Sequence, residues 1–172
     1  MPILNTTNFE RQGNTDNDLY LLSIEDIRQT IIDLSENALK SIKIYTPDLE
    51  HELYDNEALR KNILKLSRGN RHAQVQLLVA DSTQARNQGH RLLHLSQQIT
   101  SVMKIKLVPE EYKDINISFI LVDQSSFVYR TTNSKQPALY SSCKNRIHKL
   151  QDFFTSVWEY AEQDPGTQSF HI

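Results

Sequence analysis

The sequence is poor in the residues that build stapled, fibrous or low-complexity proteins. It has one cysteine, four glycines and five prolines in 172 residues. The single cysteine, Cys143, excludes an internal disulfide and a cysteine-based zinc site, and so little glycine and proline excludes collagen-like designs. No apolar run approaches the roughly 20 residues of a membrane span, and the first residues lack the pattern of a secretory signal. We therefore expect a soluble, cytoplasmic domain that does not contact membranes.

Several motifs of cofactor and nucleophile chemistry are also absent. The four glycines stand alone at positions 13, 69, 89 and 166, so neither a phosphate-binding loop nor a dinucleotide fingerprint is present. No serine lies in a G-x-S-x-G turn. Cys143 is interpreted as a structural thiol. We expect no cofactor and no bound metal.

Charge is divided unevenly along the chain. Residues 1–59 hold four Lys/Arg against twelve Asp/Glu, whereas residues 60–106 hold nine Lys/Arg against Asp81 alone. Such a basic block indicates an anionic partner, either nucleic acid or an acidic protein surface. The block contains no Phe, Tyr or Trp, so bases would find no stacking platform there, although contacts to phosphates remain open. The alternative is that the acidic start and the basic middle neutralise each other in the fold.

The hydrophobic pattern predicts one domain at residues 23–164, between a flexible arm (1–22) and a short tail (165–172). Helices are predicted from the N-cap Ser23 to about residue 39, and over 55–67, 83–99 and 143–162. Strands are predicted over 41–45, 75–80, 102–108, 117–122 and 126–130, and residues 131–142 as a loop. This order indicates a three-layer α/β fold with a mainly parallel mixed sheet flanked by helices.

The predicted helix over residues 83–99 carries a polar stripe opposite its apolar face. The stripe consists of Arg86, His90 and His94. Two histidines at this spacing can share a metal ion, but no glutamate lies between them, so the zinc-protease motif is absent. We interpret the stripe as a solvated helix face, with contact to an anion as the alternative.

Four segments follow one another in a characteristic order: EALRKNILKLSRGN, VQLLVAD, MKIKLV and ISFILVD. From residue 41 to residue 162 this order resembles one half of a phospholipase D-type domain. In that family a strand carries the signature His-x-Lys-x4-Asp, and the corresponding residues here are Asn116, Ser118 and Asp123. The resemblance implies a phospholipase D-like fold, and pairing into a two-fold homodimer.

The departures from the signature bear on activity. The family uses its histidine as the nucleophile that forms phosphohistidine, and a second histidine protonates the leaving group. Asn116 can do neither, and Ser118 supplies no positive charge to the phosphoryl group. The resemblance therefore implies a domain that has lost phosphodiesterase activity.

The resemblance also implies a groove at the strand ends, where α/β folds of this kind bind ligands. Tyr45 to Asp48, His51, Asn116, Ser118 and Arg130 should converge there, with Arg130 as the cation that contacts an anion. Further candidates for ligand binding come from the basic block: Arg68, Arg71, Arg86, His90, Arg91 and His94.

Three segments are also similar to an uncharacterised proteobacterial domain family: IYTPDLEHELYDNEALR, VQLLVADSTQARNQGHRLLHLSQQI and FILVDQSSFVYR. That family occurs alone or appended to N-acetyltransferase domains of the GNAT type, and this chain has no acetyl-CoA-binding loop. The leading hypothesis is a non-enzymatic module for an anionic partner, with nucleic acid first. The alternatives are a protein-interaction domain that accompanies an acyltransferase, and a residual phosphodiesterase that uses His90 or His94.

Overall fold

The computed structural model describes Leu4, Phe9 and residues 17–167. Its helices are α1 (Ile24–Glu36), α2 (His51–Tyr54), α3 (Glu57–Gly69), α4 (Thr83–Asn87), α5 (Arg91–Gln98) and α6 (Lys144–Tyr160). Its strands are β1 (Leu19–Leu21), β2 (Ser41–Thr46), β3 (Gln74–Val79), β4 (Met103–Leu107), β5 (Ile117–Val122), β6 (Ser126–Thr131), β7 (Ala138–Ser141) and β8 (Glu162–Gln163). Most of the predicted arm, and the tail from residue 168 onward, lie outside the described residues.

The eight strands form one sheet in the order β1-β7-β6-β5-β2-β3-β4-β8. The pairs β2–β3 and β3–β4 are parallel, and the other five neighbouring pairs are antiparallel. The predicted α/β architecture with helices on both faces of the sheet is confirmed. The prediction of a mainly parallel sheet is wrong, because β5, β6 and β7 form a meander that joins β2 antiparallel.

Each face of the sheet buries its own hydrophobic cluster. Ile44, Leu77 and Ile105 lie side by side on β2, β3 and β4 and face α1, α3 and α5. The alternate residues of the same strands point the other way, and Tyr45 and Leu78 pack against aromatic residues of α6. Because each fully buried side chain of this size contributes about 1.5–3 kcal/mol, these two clusters determine which face each strand presents.

Local capping signals locate the helix starts, with one shift. Ser23 caps α1 as predicted, since its hydroxyl accepts a hydrogen bond from the Asp26 N–H at 3.0 Å. The cap of α3 is Asn56, whose side chain accepts from the Leu59 N–H at 2.8 Å, and not the predicted Asp55. The Asp55 carboxylate instead accepts from the Arg91 N–H at 3.0 Å. Asn56 therefore caps α3, and the adjacent Asp55 accepts a hydrogen bond at the start of α5.

The predicted helix over residues 83–99 is in fact two helices, α4 and α5. Gly89 between them has a φ of 68°, a left-handed conformation that glycine adopts without steric cost. The next residue, His90, is the N-cap of α5. The interruption removes the continuous helix face on which the polar stripe was predicted.

Two short strands occur where the sequence predicts an arm and a loop. Leu19–Leu21 lies within the predicted arm and pairs antiparallel with Ala138–Ser141, which lies within the predicted loop. Neither segment is long enough for a period of two to be recognised in sequence. The ordered fold therefore begins before residue 23, and the buried Thr167 shows that it also continues past residue 164.

Candidate functional site

Two elements that the sequence predicted to meet, the start of β5 and the carboxyl end of β2, lie side by side. Strand β5 runs antiparallel to β2, with Phe119 opposite Tyr45, so Ser118 lies near Thr46 at the end of β2. Ser118 is paired with Arg130 on β6. Asn116 precedes β5, is exposed, and accepts a hydrogen bond from the Thr132 N–H through its carbonyl at 3.0 Å. The structure thus brings Ser118, Arg130 and the end of β2 together.

A partly buried glutamate, Glu50, occupies this position. Glu50 Oε2 accepts hydrogen bonds from Thr46 Oγ1 at 3.1 Å and from Ser118 Oγ. Glu50 Oε1 lies 3.4 Å from Arg130 Nη1, and the Tyr54 hydroxyl lies 3.5 Å from Ser118 Oγ. We call these five residues the motif cluster. The cluster puts an anionic side chain of the protein where the resemblance implies space for an anionic ligand.

The loop that delivers Glu50 has an unusual backbone. Leu49 and Glu50 have φ values of 66° and 21°, a region that costs roughly 1–3 kcal/mol for residues other than glycine. The Asp48 carboxylate accepts from the Glu50 N–H at 3.0 Å. The buried Leu49 has its carbonyl hydrogen-bonded to His90 Nε2 at 3.1 Å. Hydrogen bonds to Asp48 and His90 therefore fix this loop and keep Glu50 in the motif cluster.

Burial dominates the electrostatics of the cluster. It raises the pKa of Glu50, although the Ser118 hydrogen bond and the Arg130 guanidinium act in the opposite direction. Burial also raises the pKa of the Tyr54 hydroxyl, with the Glu50 charge adding to the effect. The cluster thus favours the neutral form of Glu50 more than water does.

The raised pKa of Glu50 predicts a dependence of stability on pH. Below the ordinary glutamate pKa of 4.5 the contribution of this group is fully present, and it is lost as the pH rises through the folded-state pKa. Relative to Glu50→Gln, which cannot titrate, the free energy of unfolding of the wild type should therefore fall with rising pH, by about 1.4 kcal/mol for each unit of pKa shift. Urea unfolding of both proteins between about pH 4 and about pH 8 measures this difference. A difference that stays constant with pH would contradict the expectation.

Two residues predicted for the groove have other surroundings. Tyr45 points to the α6 side of the sheet, where it is buried, stacks on Phe119 with ring centroids 5.7 Å apart, and donates to the Tyr112 carbonyl at 3.3 Å. The structure thus places Tyr45 in the core and not in the groove. His51 is exposed, with Nδ1 2.9 Å from an oxygen of the Asp55 carboxylate. Successive residues of a strand face opposite sides of the sheet, and the sequence alone did not show that Tyr45 faces the α6 side.

The two histidines of the predicted stripe differ from each other. His90 is 1% exposed. Its Nδ1 accepts from the Leu92 N–H at 3.2 Å, so Nε2 carries the proton and donates to the Leu49 carbonyl. Burial lowers the pKa of His90, while His94 is exposed. The prediction of a solvated stripe is therefore wrong for His90, which is a buried cap.

Four arginines at the carboxyl end of β2 and β3 have carboxylate partners. They form the pairs Arg60–Glu57 (2.7 Å), Arg86–Asp164 (3.6 Å), Arg91–Asp55 (3.1 Å) and Arg130–Glu50 (3.4 Å). Arg86 and Arg91, which the sequence grouped with Arg68 and Arg71 as ligand contacts, are thus neutralised locally. At this end the acidic and basic parts of the chain do compensate each other.

The opposite end of the sheet, where β2, β3 and β4 begin, is different. Six cations lie at this end: Lys40, Lys43, Lys65, Arg68, Arg71 and Lys104. We call this group of residues the basic end. No ion pair joins any of them to a carboxylate among residues 17–167. Lys65 donates to the Glu36 carbonyl oxygen at 3.3 Å and Arg71 to His72. The basic block therefore divides between the two ends, and four of its cations without a carboxylate partner in the described ranges, Lys65, Arg68, Arg71 and Lys104, lie away from the motif cluster.

Asp123, the last residue of the signature, is also remote from the motif cluster. It follows β5, at the end of that strand opposite Asn116. Its carboxylate accepts from the N–H groups of Leu39 (2.7 Å), Lys40 (2.7 Å) and Ser41 (2.8 Å). Asp123 therefore fixes the start of β2, which is a structural role.

The motif cluster offers little to a substrate. Ser118 is 1% exposed and its hydroxyl is already bonded to Glu50. No group of three or more His, Cys, Asp or Glu side chains suited to a metal ion occurs in the described part of the chain. The cluster joins β2, β5 and β6, and it contains no imidazole that could accept a phosphoryl group.

Glu50 and Tyr54 are the members of the cluster that sequence reasoning missed. The signature drew attention to Asn116 and Ser118, and the predicted groove included Tyr45 to Asp48 and His51 but passed over the residues between and after them. The available signal was the turn at Pro47 and Asp48, because a turn that closes a buried strand leaves the following residues at the carboxyl edge of the sheet.

Solved structures with this fold include phospholipase D proteins. NucT from Helicobacter pylori superposes with a TM-score of 0.63 at 13% identity, over 86% of this chain and 97% of that one. Nuc from Salmonella typhimurium, a phospholipase D family member, gives a TM-score of 0.56 at 9% identity, over 80% and 90% of the two chains. TrmBL2, an archaeal chromatin protein with a novel mode of DNA binding, gives 0.64 at 10% identity over 92% of this chain. The chain spans 58% of the length of TrmBL2.

The fold is thus a phospholipase D-like α/β fold. Within it, the chain belongs to the family described as a domain of unknown function, DUF7931, whose model matches residues 23–170. No curated protein matches the sequence. None of the helices in the described ranges is both long and apolar enough to cross a membrane.

Proposed function

We propose that this protein is a non-catalytic phospholipase D-like module that binds nucleic acid through phosphate contacts at its basic end. The observation that carries the proposal is the separation of charge. The arginines near the motif cluster are paired with carboxylates, whereas no cation of the basic end has a carboxylate partner in the described ranges. Unpaired cations gathered on one end of a domain are the electrostatic footprint of a polyanion.

The chemistry of the basic end favours the backbone of nucleic acid over its bases. Residues 60–106 have no aromatic side chain on which a base could stack. Lys and Arg contacts to phosphates release counterions and need no sequence-specific hydrogen bonds. TrmBL2, which has this fold, is a chromatin protein that binds DNA. We therefore propose that the protein binds duplexes with little dependence on sequence.

The motif cluster supports the non-catalytic part of the proposal. The Glu50 carboxylate holds the hydroxyls of Ser118 and Thr46 and the Arg130 guanidinium. An anionic substrate would have to displace a carboxylate already fixed by three partners. His90, which the sequence offered as a residual catalytic residue, is buried with both ring nitrogens hydrogen-bonded.

Fluorescence anisotropy of a labelled DNA duplex, titrated at several salt concentrations, tests the proposal. We expect binding that weakens steeply with salt. The double variant Arg68→Gln/Arg71→Gln should bind about tenfold more weakly, and the slope of log K against log salt should become shallower by about one for each lost phosphate contact. Single-stranded DNA and RNA of equal length serve as further probes.

The matched control is Arg60→Gln/Arg91→Gln, which removes the same charge from the motif-cluster end. Because these arginines are ion-paired, the control should keep nearly the wild-type affinity. No binding at low salt, or equal losses in the two double variants, would contradict the proposal. Thermal melting shows whether each variant is folded.

Protein interaction remains a second candidate, and one observation favours it. Strand β1 lies at the edge of the sheet, and Leu19 and Leu22 beside it are 58% and 83% exposed. An exposed apolar edge is a typical site of contact with another chain. An acyltransferase partner and a two-fold homodimer stay predictions. Light scattering of the purified protein distinguishes a monomer from a homodimer.

A further inference from the structure

A polar pocket of about 330 Å³ opens at the basic end. It lies between the starts of β2 and β3 and the turn that joins β5 to β6, and its lining consists of Lys40, Ser41, Lys43, His72, Gln74, Asp123 and Gln124. The volume is about ten times the roughly 30 Å³ that a water molecule occupies in the liquid. The pocket thus has room for a tetrahedral oxyanion together with several waters.

Lys43 is the most unusual residue of this pocket. Only 7% of it is exposed, and its ammonium group has no carboxylate or hydrogen-bond acceptor among the described residues. The ring of Phe154 lies 5.7 Å from Nζ, close to the outer limit of roughly 6 Å for a cation–π contact. Burial lowers the pKa of Lys43. The aliphatic stem of Lys43 is therefore packed in the protein, while its ammonium group keeps contact with the pocket and has hydrogen-bond donors free for an anion.

The other lining groups suit an oxyanion. Lys40 brings a second positive charge, and the Ser41 hydroxyl and the Gln74 amide form no hydrogen bond with any group in the described ranges. Asp123 is the one carboxylate of the lining. Its oxygens already accept three backbone N–H groups at 2.7–2.8 Å, which offsets much of its repulsion of an anion.

We infer that this pocket binds a phosphate group, with Lys43 at its floor and Lys40 at its rim. The site lies at the end of the sheet opposite the motif cluster, so it does not use the position of the phospholipase D signature. The geometry of the pocket supports phosphate binding independently of the proposed function. That the phosphate belongs to a nucleic-acid backbone rests on the proposed function, and a free or small-molecule phosphate is the other source of the same chemistry.

The first arm of the test uses inorganic phosphate and nuclear magnetic resonance. Phosphate replaces chloride at constant ionic strength, and the amide signals of the full chain are followed. In the wild type, the signals of residues 40–43 and 72–74 should shift and saturate. In Lys43→Met, which keeps the packing of the aliphatic stem, the dissociation constant should rise about tenfold or more, because a charge-assisted hydrogen bond is lost.

Two further measurements make this arm decisive. Lys61→Met removes an exposed lysine of α3 that does not line the pocket, and it should leave the phosphate titration unchanged. Lys43→Met should melt near the wild-type temperature in chloride, since it keeps the packing of the aliphatic stem and breaks no ion pair among the described residues. A loss of phosphate binding therefore cannot be attributed to unfolding.

The second arm titrates a labelled DNA duplex with the same three proteins. Weaker binding by Lys43→Met than by Lys61→Met would identify the nucleic-acid backbone as the source of the phosphate, and equal binding would identify a free or small-molecule phosphate. Wild-type shifts that do not saturate, or that persist unchanged in Lys43→Met, would overturn the proposed phosphate site even if the protein binds the duplex. Saturating phosphate shifts without any duplex binding would leave the pocket standing and contradict the proposed function alone.

Discussion

Replacement of Asp18 by alanine is expected to destabilise the protein by about 3–5 kcal/mol. Asp18 Oδ2 lies 2.5 Å from Arg146 Nη1, and the two side chains are 2% and 1% exposed. Asp18 Oδ1 accepts from Ser141 Oγ at 2.5 Å. Loss of the carboxylate leaves the Arg146 charge buried without this partner, and removal of one member of a buried pair is among the most costly substitutions. The loss is a large share of the 5–15 kcal/mol that stabilises a typical domain.

Urea unfolding of Asp18→Ala, followed by circular dichroism, measures this effect. The double variant Asp18→Ala/Arg146→Met should recover much of the loss, because it removes both buried charges. Glu159→Ala, on the exposed side of α6, should change stability by less than about 0.5 kcal/mol. A loss of under about 1 kcal/mol in Asp18→Ala would show that the pair is not buried as described. The result also tests whether the residues before 23 belong to the folded domain.

The second large effect is expected at His90. His90→Ala should cost about 2–4 kcal/mol, since it removes the cap of α5 and leaves the buried Leu49 carbonyl without its donor. That carbonyl belongs to the loop that delivers Glu50 to the motif cluster. The substitution should therefore also loosen the loop, which is detectable as faster amide exchange at residues 49–50.

His94→Ala is the matched control, because His94 is an exposed histidine four residues away on the same helix. It should change the free energy of unfolding by less than about 0.5 kcal/mol. Since burial lowers the pKa of His90, its stabilising contribution is fully present above the ordinary histidine value of 6.5 and is lost as the pH falls through the folded-state pKa. The difference between His90→Ala and the wild type should shrink in acid. Equal losses in the two histidine variants would contradict the assigned role.

Much of the fold could be predicted from the sequence because short-range patterns determine it. The apolar run ISFILV predicted β5 at residues 117–122, and these are the residues of that strand. Ser23 with its acidic first turn predicted the start of α1, and Gly69 marked the end of α3. Hydrophobic alternation also indicated that Ile42 and Ile44 share one buried face of β2. These features depend on residues that are neighbours in the chain, so a period of 2 or 3.6 suffices to predict them.

The candidate site depended on contacts that no local pattern encodes. Glu50 reaches Ser118 only through a turn with positive φ, and that turn is held by His90, forty residues later in the chain. Strands β1 and β7 are too short to be recognised alone, and they form because β7 pairs with β6 on one side and with the edge strand β1 on the other. Sequence reasoning therefore pointed to the end of β2 but missed the Glu50 carboxylate that lies there.

The sequence by itself predicted a small α/β domain, and its resemblance to phospholipase D-type domains aligned Asn116 and Ser118 with the His and Lys of the signature. It also determined that cations crowd into residues 60–106. Only the tertiary structure decided where those cations lie. Strand β3 separates Arg71 from Arg86, and six residues at about 3.3 Å each carry the chain some 20 Å across the sheet. Arg86 and Arg91 then meet carboxylates from distant segments, whereas Arg68 and Arg71 meet none in the part of the chain that the structure describes. Electrostatic interactions depend on the distance between charges in space, and the direction of the strands sets that distance.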